Sequence, residues 1–264
     1  MVLKGVIPME PSMPGGHKAA VGVRMADGTE DHADIVISNA DGRKTIMDML
    51  DGRYADERIK GYCTEPLDET NWAVHVFLGV SRDLSREPSA LVILLDQPVK
   101  IADHICKSLE MQIYGFDKTM ASEGKGVIKV ELFSTYSYWK RLYGDRAAYE
   151  DEKVKVTEGV IGVIENYFSG IRSQIEVVDV ATLMTWERYM GETHGFANMP
   201  NKKFNMLASL FGQEMETGLP GLANFYLVGD WATSAGALFA NALSGKTVLK
   251  TICKNDGKIF TASP

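Results

Sequence analysis

The stretch "NFYLVGDWATSAGALFANALSGK", from Asn224 to Lys246, constrains the fold of this chain more than any other segment. Its first residues are apolar and favour extended structure, which predicts a buried strand that ends at Gly229-Asp230. A short loop of small residues follows, and a helix is expected from about Gly236 to Lys254. A buried strand that leads into a helix is typical of an α/β layer, and such junctions are used to hold phosphate-bearing cofactors.

The residue types at this junction suit a cofactor. A glycine at the end of a strand lets the backbone come close to a ligand, and the carboxylate of Asp230 can accept hydrogen bonds from sugar or ribityl hydroxyls. The helix start at Gly236, Ala237 and Leu238 would direct free N–H groups and the positive end of the helix dipole at the ligand. For a flavin, that field would stabilise negative charge on the reduced ring. An ordinary βα unit with a Gly-Asp loop remains the alternative at this point.

Composition and charge exclude several classes of protein. The chain has 264 residues, enough for one large domain or two small ones. A formal charge of -7 and a pI near 5.3 argue against a nucleic-acid partner. The longest apolar run, Ala90 to Leu95, is too short to span a bilayer, and the first residues do not resemble a signal peptide. We therefore expect a cytoplasmic protein, and peripheral membrane contact stays open.

No metal or disulfide site is predicted. The cysteines Cys63, Cys106 and Cys253 lie far apart and lack a C-x-x-C pair, which is typical of free thiols. The five histidines show no spacing that would bring metal ligands together.

Two nucleotide-binding motifs are incomplete. "SGKT" (Ser244 to Thr247) resembles the tail of a P-loop, but Ala240 stands where the first glycine is required, and the run lies inside the expected helix. The dinucleotide fingerprint G-x-G-x-x-G is also absent, because Gly124-Lys125-Gly126 is followed by Lys129 in the third position. A chain that held a dinucleotide alone would be expected to carry this fingerprint.

The pattern along the chain predicts an α/β fold with α+β character in the middle. Near the N-terminus, "AVGVRMADGTEDHADIVISNAD" predicts a hairpin whose second strand is "ADIVISNA", and a helix is expected from Asp41. In the middle, strands outnumber crossover helices, which favours an antiparallel or mixed sheet with helices on one face. The two ends then form one α/β layer that the middle unit interrupts.

Four segments of the middle unit carry further expectations. A helix of about five turns is predicted from Tyr149 to Ile171. Asp103 to Met111 is predicted to be helical or irregular, Ile175 to Trp186 to be a strand, and Thr185 to Tyr189 to lie in a loop.

Three stretches carry a resemblance to a known family: "AVGVRMADGTEDHADIVISNAD", "DVATLMTWERYMGETHGF" and "GLANFYLVGDWATSAGALFANALSGKTVLKTI". In this order they resemble the C-terminal portion of FAD-dependent oxidoreductases of the phytoene desaturase, carotenoid isomerase and retinol saturase-like type, within the flavin amine oxidase superfamily. The similarity runs from about Ala20 to Lys254. It implies FAD as the cofactor and a long apolar substrate, isoprenoid or carotenoid-like.

The resemblance also implies residue roles, but it transfers no catalytic side chain. Gly229 and Asp230 match the residues at the ribityl-pyrophosphate, and Gly236, Ala237 and Leu238 match the helix start at the pyrimidine edge of the flavin. Asn39 and Ala40 match the strand end that closes the adenine side. The chain departs from the family at Leu183, where proline is usual, and at Ser234-Ala235-Gly236, where a run of glycines is usual.

The resemblance implies a domain arrangement. Residues 1–63 and 220–264 would belong to the FAD-binding domain, a partial Rossmann-type domain, and residues 64–219 would form the substrate-binding domain. In this family the glycine-rich fingerprint precedes the "VISNAD" strand by well over a hundred residues, so the N-terminal FAD-binding half is expected to be missing from this chain. The isolated chain is therefore expected to bind FAD weakly and to be inactive.

Two other functions stay open. The chain could come from an amine oxidase or another small-molecule oxidase of the same superfamily. It could also be a non-catalytic module that binds a lipid or a protein.

Overall fold

A computed structural model describes residues 3–9, 18–64, 70–190, 217–229, 232 and 238–261. It divides the chain into two compact units. The first unit combines both ends of the chain, Met1–Pro66 and Met199–Pro264, and the second is the continuous segment Leu67–Asn198. The described residues form helices together with parallel and antiparallel strand pairs, which confirms the predicted α/β class.

The elements follow one another along the chain in this order. The strands are β1 (Leu3–Met9), β2 (Lys18–Met25), β3 (Glu30–His32), β4 (Val36–Ser38), β5 (Thr70–Val80), β6 (Ala90–Ile101), β7 (His104–Ile113), β8 (Gly126–Thr135), β9 (Ile175–Ala181), β10 (Leu222–Ala223) and β11 (Phe225–Leu227). The helices are α1 (Glu57–Thr64), α2 (Tyr136–Tyr143), α3 (Arg146–Tyr167), α4 (Leu183–Met190) and α5 (Leu238–Asn255), with a π-helical segment at Lys44–Met49 and a 3-10 turn at Ile171–Gln174.

The described residues of the first unit form two small sheets. In one, β2 pairs antiparallel with β1 and β3 and parallel with β10. In the other, β4 and β11 form a parallel pair. The predicted hairpin is therefore only partly correct. The turn at Gly28 leads into β3, whereas β4 pairs with a strand almost two hundred residues later, and Val36 is buried in the core that β4 and β11 share.

The first unit has its own hydrophobic core. The helical segment that follows β4 contributes Ile46 and Leu50, which are buried as the predicted helix from Asp41 required. Residues from β2, β4, β10, β11 and the adjoining segments complete the cluster: Ala20, Val36, Tyr54, Ala55, Leu219, Leu222, Phe225, Leu227 and Ala232. The core thus includes residues of both β4 and β11.

The second unit is a five-stranded sheet in the order β6-β7-β8-β5-β9, in which every described pairing is antiparallel. Ile128, Val130 and Leu132 of β8 are buried, and Lys129 and Glu131 point to the opposite face. Trp139 of α2 is fully buried in the same core as the inner face of the sheet. The predicted sheet with helices on one face is confirmed.

Helix α3, the long helix of the second unit, is capped by Asp145 at its start and is followed by Gly170 at its end. The side chain of Asp145 accepts hydrogen bonds from the N–H groups of Ala147 and Ala148 at 3.0 and 3.2 Å. The predicted apolar stripe is buried throughout: Val160, Ile161, Ile164, Phe168 and Ile171. The helix stops at Tyr167, before Gly170 with its positive φ of 79°.

Two segments of this unit differ from the sequence-based expectation. The segment expected to be helical or irregular is strand β7, where Leu109, Met111 and Ile113 alternate on the buried face. The predicted strand from Ile175 ends at Ala181, and the segment expected to be a loop belongs to helix α4. Thr182 caps that helix, since its Oγ1 accepts a hydrogen bond from the N–H of Met184 at 3.2 Å.

Candidate functional site

The ends of β4 and β11 bring two predicted site residues together. Val36 lies beside Phe225 and Ser38 beside Leu227, and the N–H of Val228 donates to the carbonyl of Ser38 at 2.9 Å. Because the strands are parallel, both carboxyl ends lie at one edge of the pair. Asn39 and Gly229 therefore lie side by side, so close that a Cβ on Gly229 would overlap with Oδ1 of Asn39.

Gly229 is held in a fixed conformation. Its φ of 85° lies in the left-handed region that favours glycine. Its N–H donates a hydrogen bond to Oγ of Ser244 at 2.9 Å, and its carbonyl accepts one from the N–H of Ala232 at 3.0 Å. Both backbone groups of this glycine are thus engaged within the protein. We call the arrangement of Asn39, Gly229 and Ser244 the Gly229 corner.

Ser244 is the residue of this corner that the sequence analysis missed. It is fully buried on helix α5, and its hydroxyl donates to the carbonyl of Asn241 at 2.6 Å while accepting from Gly229. In the sequence it was assigned only to an incomplete P-loop. Its place in the buried series Ala240, Ser244 and Val248, four residues apart, could have shown that it faces the strands.

The segment after β4 is also held by hydrogen bonds. The hydroxyls of Ser38 and Thr45 are 3.0 Å apart, and the N–H of Ala40 donates to Oγ of Ser38 at 3.3 Å. Asp41 accepts from the N–H of Lys44 at 2.8 Å through Oδ1 and so caps the following helical segment. Asn39 and Ala40 themselves are exposed on this supported backbone.

The start of α5 is the other described part of the predicted site. The helix begins at Leu238 and runs for 18 residues, so its first N–H groups and the positive end of its dipole lie at this end. The side chains of Leu238 and Phe239 are 89% and 76% exposed among the described residues. The other predicted ligands, Asp230, Gly236 and Ala237, lie outside the described residues.

Two cavities within the described residues are lined by residues other than those of the Gly229 corner. One of about 300 Å³ belongs to the first unit, and one of about 330 Å³ belongs to the second. The first is lined by Lys4, Gly5, Val6, Pro8, Arg24, Asp48, Met49, Leu50, Asp51, Arg53 and Tyr54. The second is lined by His104, Ile105, Cys106, Lys107, Ser108, Glu110, Glu131, Leu132 and Phe133. Neither includes a predicted cofactor ligand.

All three cysteines are free thiols, and burial raises the pKa of Cys63 and Cys106 above its ordinary value. Among the described residues, no group of three or more histidine, cysteine and acidic side chains is placed to hold a metal ion. The same residues contain no helix both long and apolar enough to cross a membrane.

Comparison with known proteins gives sequence and structural matches. No protein-family profile matches the chain. It is 25% identical over 233 residues to the chloroplastic prolycopene isomerase of Arabidopsis thaliana, covering 87% of this chain and 38% of that protein. Identity to the corresponding Daucus carota protein is 25% over 230 residues, covering 86% of this chain and 36% of the relative. The chain therefore spans little more than a third of the length of these relatives.

Solved oxidoreductases share the fold. An oxidoreductase from Methanosarcina mazei matches with a TM-score of 0.54 and 18% identity, over 94% of this chain and 48% of that chain. A putrescine oxidase redesigned in its cofactor binding matches with a TM-score of 0.55 and 11% identity, over 96% and 48% of the two chains. Together with the sequence matches, these confirm the resemblance to the flavin oxidoreductases of the amine oxidase superfamily.

Proposed function

We propose that this chain is part of an FAD-dependent oxidoreductase and that the Gly229 corner holds FAD at its ribityl-pyrophosphate. One observation carries the proposal. Asn39 and Gly229, which the resemblance assigned to separate parts of the cofactor, lie side by side at the carboxyl edge of two parallel strands. Ligands of α/β sheets are bound at this edge.

The described residues suit such a cofactor. There is no room for a Cβ at position 229, and glycine meets this requirement. Because glycine has no Cβ, the backbone can turn sharply in front of the ligand. The first N–H groups of α5, from Leu238 onward, would face the pyrimidine edge of the flavin, and Asp230 would accept hydrogen bonds from the ribityl hydroxyls. Asn39 and Ala40 would close the adenine side. When bound, FAD supplies the acceptor for a hydride, and this chain binds and orients the reactants.

For the substrate we propose a long apolar molecule, isoprenoid or carotenoid-like, bound by a domain within residues 64–219. On the face of the five-stranded sheet opposite the helices, exposed apolar side chains occupy both edge strands. Val92 and Leu94 of β6 are 58% and 80% exposed, and Val177 of β9 is 62% exposed. Exposed apolar side chains at the two edges of the sheet are suited to contact a lipophilic ligand. The similarity to prolycopene isomerases supports the same class of substrate.

An amine is the second candidate substrate, and one feature of the same sheet face favours it. Glu110 of β7 and Glu131 of β8 occupy directly facing positions. The ammonium of Lys129 lies 2.5 Å from Glu131, and this one cation is fewer than the two carboxylates that face each other. A cationic amine could compensate the remaining negative charge. The shared fold with a putrescine oxidase is compatible with this alternative.

A titration with FAD, followed by flavin fluorescence, tests the proposed cofactor site. The chain is expected to bind FAD with a dissociation constant in the micromolar range or weaker, since the glycine-rich fingerprint is absent. Gly229→Ala should weaken binding at least about tenfold, because alanine is strained at positive φ and its Cβ would displace Asn39. Gly245→Ala is the matched control on α5, where an added Cβ has nothing within 4 Å.

Three results would count against this reading. Equal FAD affinity in folded Gly229→Ala would place the cofactor elsewhere. Tight stoichiometric binding of FAD by the chain would show that it needs no further FAD-binding residues. Absence of FAD binding, together with binding of lipid vesicles or a protein, would favour the non-catalytic module.

A screen of the protein at saturating FAD distinguishes the substrates. Isoprenoids and amines would each be added anaerobically, and bleaching of the flavin absorbance would be recorded. We expect a response to isoprenoids. A response to amines alone that is lost in Glu110→Gln, with FAD binding retained, would instead support the amine oxidase.

A further inference from the structure

The hydroxyl of Ser244 takes part in a hydrogen bond within its helix and in a second one outside it. A serine hydroxyl in a helix commonly bonds back to a carbonyl of the preceding turn, and Ser244 does so with Asn241 at 2.6 Å. The same oxygen also accepts the N–H of Gly229, at 2.9 Å and 15 positions away in the chain. The side chain is fully buried, so water does not replace either partner.

This bond changes what Gly229 can offer to a ligand. Its N–H is directed at Ser244 and its carbonyl at the N–H of Ala232. A phosphate in front of the corner would therefore receive its hydrogen bonds from other groups. The role left to Gly229 is to form the turn, and the precision of that turn depends on whatever fixes its backbone.

We propose that Ser244 is a positioning residue of the FAD site, which fixes the Gly229 corner before the cofactor arrives and withholds the Gly229 N–H from the phosphate. The inference rests on the proposed function for its ligand. Serine suits the position because it is small enough for a fully buried site and can accept and donate a hydrogen bond at the same time. Alanine would leave a buried N–H without a partner, and the turn would open toward water to satisfy it.

Thr247 provides a matched control on the same helix. Its Oγ1 donates to the carbonyl of Leu243 at 3.0 Å, so it makes the same kind of bond to the preceding turn. Thr247→Val removes that bond with little change in shape. Any effect of Ser244→Ala that Thr247→Val does not reproduce comes from the contact with Gly229.

The experiment uses the full chain with two readouts. NMR hydrogen exchange of the Gly229 amide measures the contact without cofactor, and flavin fluorescence measures the affinity for FAD. Ser244→Ala should exchange at least about tenfold faster at Gly229 and bind FAD about tenfold more weakly. Ser244→Cys, which keeps the size and a weak acceptor, should lie between alanine and wild type, and Thr247→Val should match wild type. Thermal unfolding confirms that each variant is folded.

The outcomes separate the two proposals. Faster exchange with unchanged FAD affinity in Ser244→Ala would overturn the positioning role and leave the FAD site standing. Unchanged exchange in Ser244→Ala would overturn the contact itself. If wild type binds no FAD, the proposed function fails and the positioning role fails with it, whereas the exchange rates still show whether Ser244 fixes the Gly229 backbone.

Discussion

At the scale of single residues, Gly229 is required for two separable reasons. Its φ of 85° is strained for any residue with a Cβ, and the Cβ would also overlap with Oδ1 of Asn39. Asn39 is exposed, so its side chain can be removed at little cost. The pair therefore allows the conformational and the steric contributions to be measured independently.

Gly229→Ala is expected to lower the free energy of unfolding by about 2 kcal/mol or more, and Asn39→Ala by less than about 0.5 kcal/mol. The double variant should recover the steric part and retain a loss of about 1 kcal/mol from the positive φ. Urea denaturation of all four proteins measures the coupling. Strict additivity of the two single changes would show that the side chains do not meet.

Glu165 supplies a pH-dependent contribution to stability. Its carboxylate accepts hydrogen bonds from the N–H groups of Arg172 and Gly170 at 2.8 and 2.7 Å, and these bonds hold its pKa below the ordinary value of 4.5. A lowered pKa in the folded state means that the contribution is complete above pH 4.5 and is lost as the pH falls through the folded pKa.

Glu165→Gln should therefore be less stable than wild type near neutral pH, and the difference should shrink below pH 4.5. Urea midpoints collected between about pH 3 and pH 7 provide the measurement. A difference that stays constant over this range would mean that the ionised form of Glu165 contributes nothing.

Gly229 and Ser244 show which single residues of the site can be predicted from the sequence and which cannot. Gly229 was identified because a glycine at the end of an apolar strand is a strong local signal. Ser244 was not, because its role depends on a strand that reaches it only in the folded chain. Whether Asp230, Gly236 and Ala237 act as predicted stays a prediction.

At the scale of elements, α3 shows how local signals predicted much of the second unit. Its apolar stripe and the capping Asp145 are encoded within the helix and its immediate neighbours. Strand β4 was predicted as a strand, but its partner was misjudged because β11 lies far away in the sequence. Helix α4 was misjudged although Thr182, which caps it, directly precedes it.

Two glycines of α3 test how this helix packs. A Cβ on exposed Gly162 would have nothing within 4 Å, whereas one on Gly159 would lie 3.2 Å from Cγ1 of Ile101. Gly162→Ala should raise the free energy of unfolding by about 0.5–1 kcal/mol, because alanine loses less conformational freedom in a helix. Gly159→Ala should gain less, since Ile101 must move. Equal gains from chemical denaturation would contradict the described packing.

At the scale of the whole molecule, each of the two units has its own core, and the predicted cofactor residues belong to the first. The chain covers 38% of one prolycopene isomerase and 48% of each of the two solved oxidoreductases. The fold class and the resemblance could be predicted from the sequence because the strand–glycine–helix junction is contiguous. The resemblance implied a substrate class, but the residues proposed to contact the substrate could not be predicted, since that sheet face is assembled from five strands.

Hydrogen–deuterium exchange with and without FAD tests the central claim most directly. FAD should protect the end of β4 at residues 36–40, the end of β11 at residues 225–229 and the start of α5 at residues 238–244, and this protection should be lost in Gly229→Ala. Protection confined to the second unit, while FAD still binds, would contradict the account.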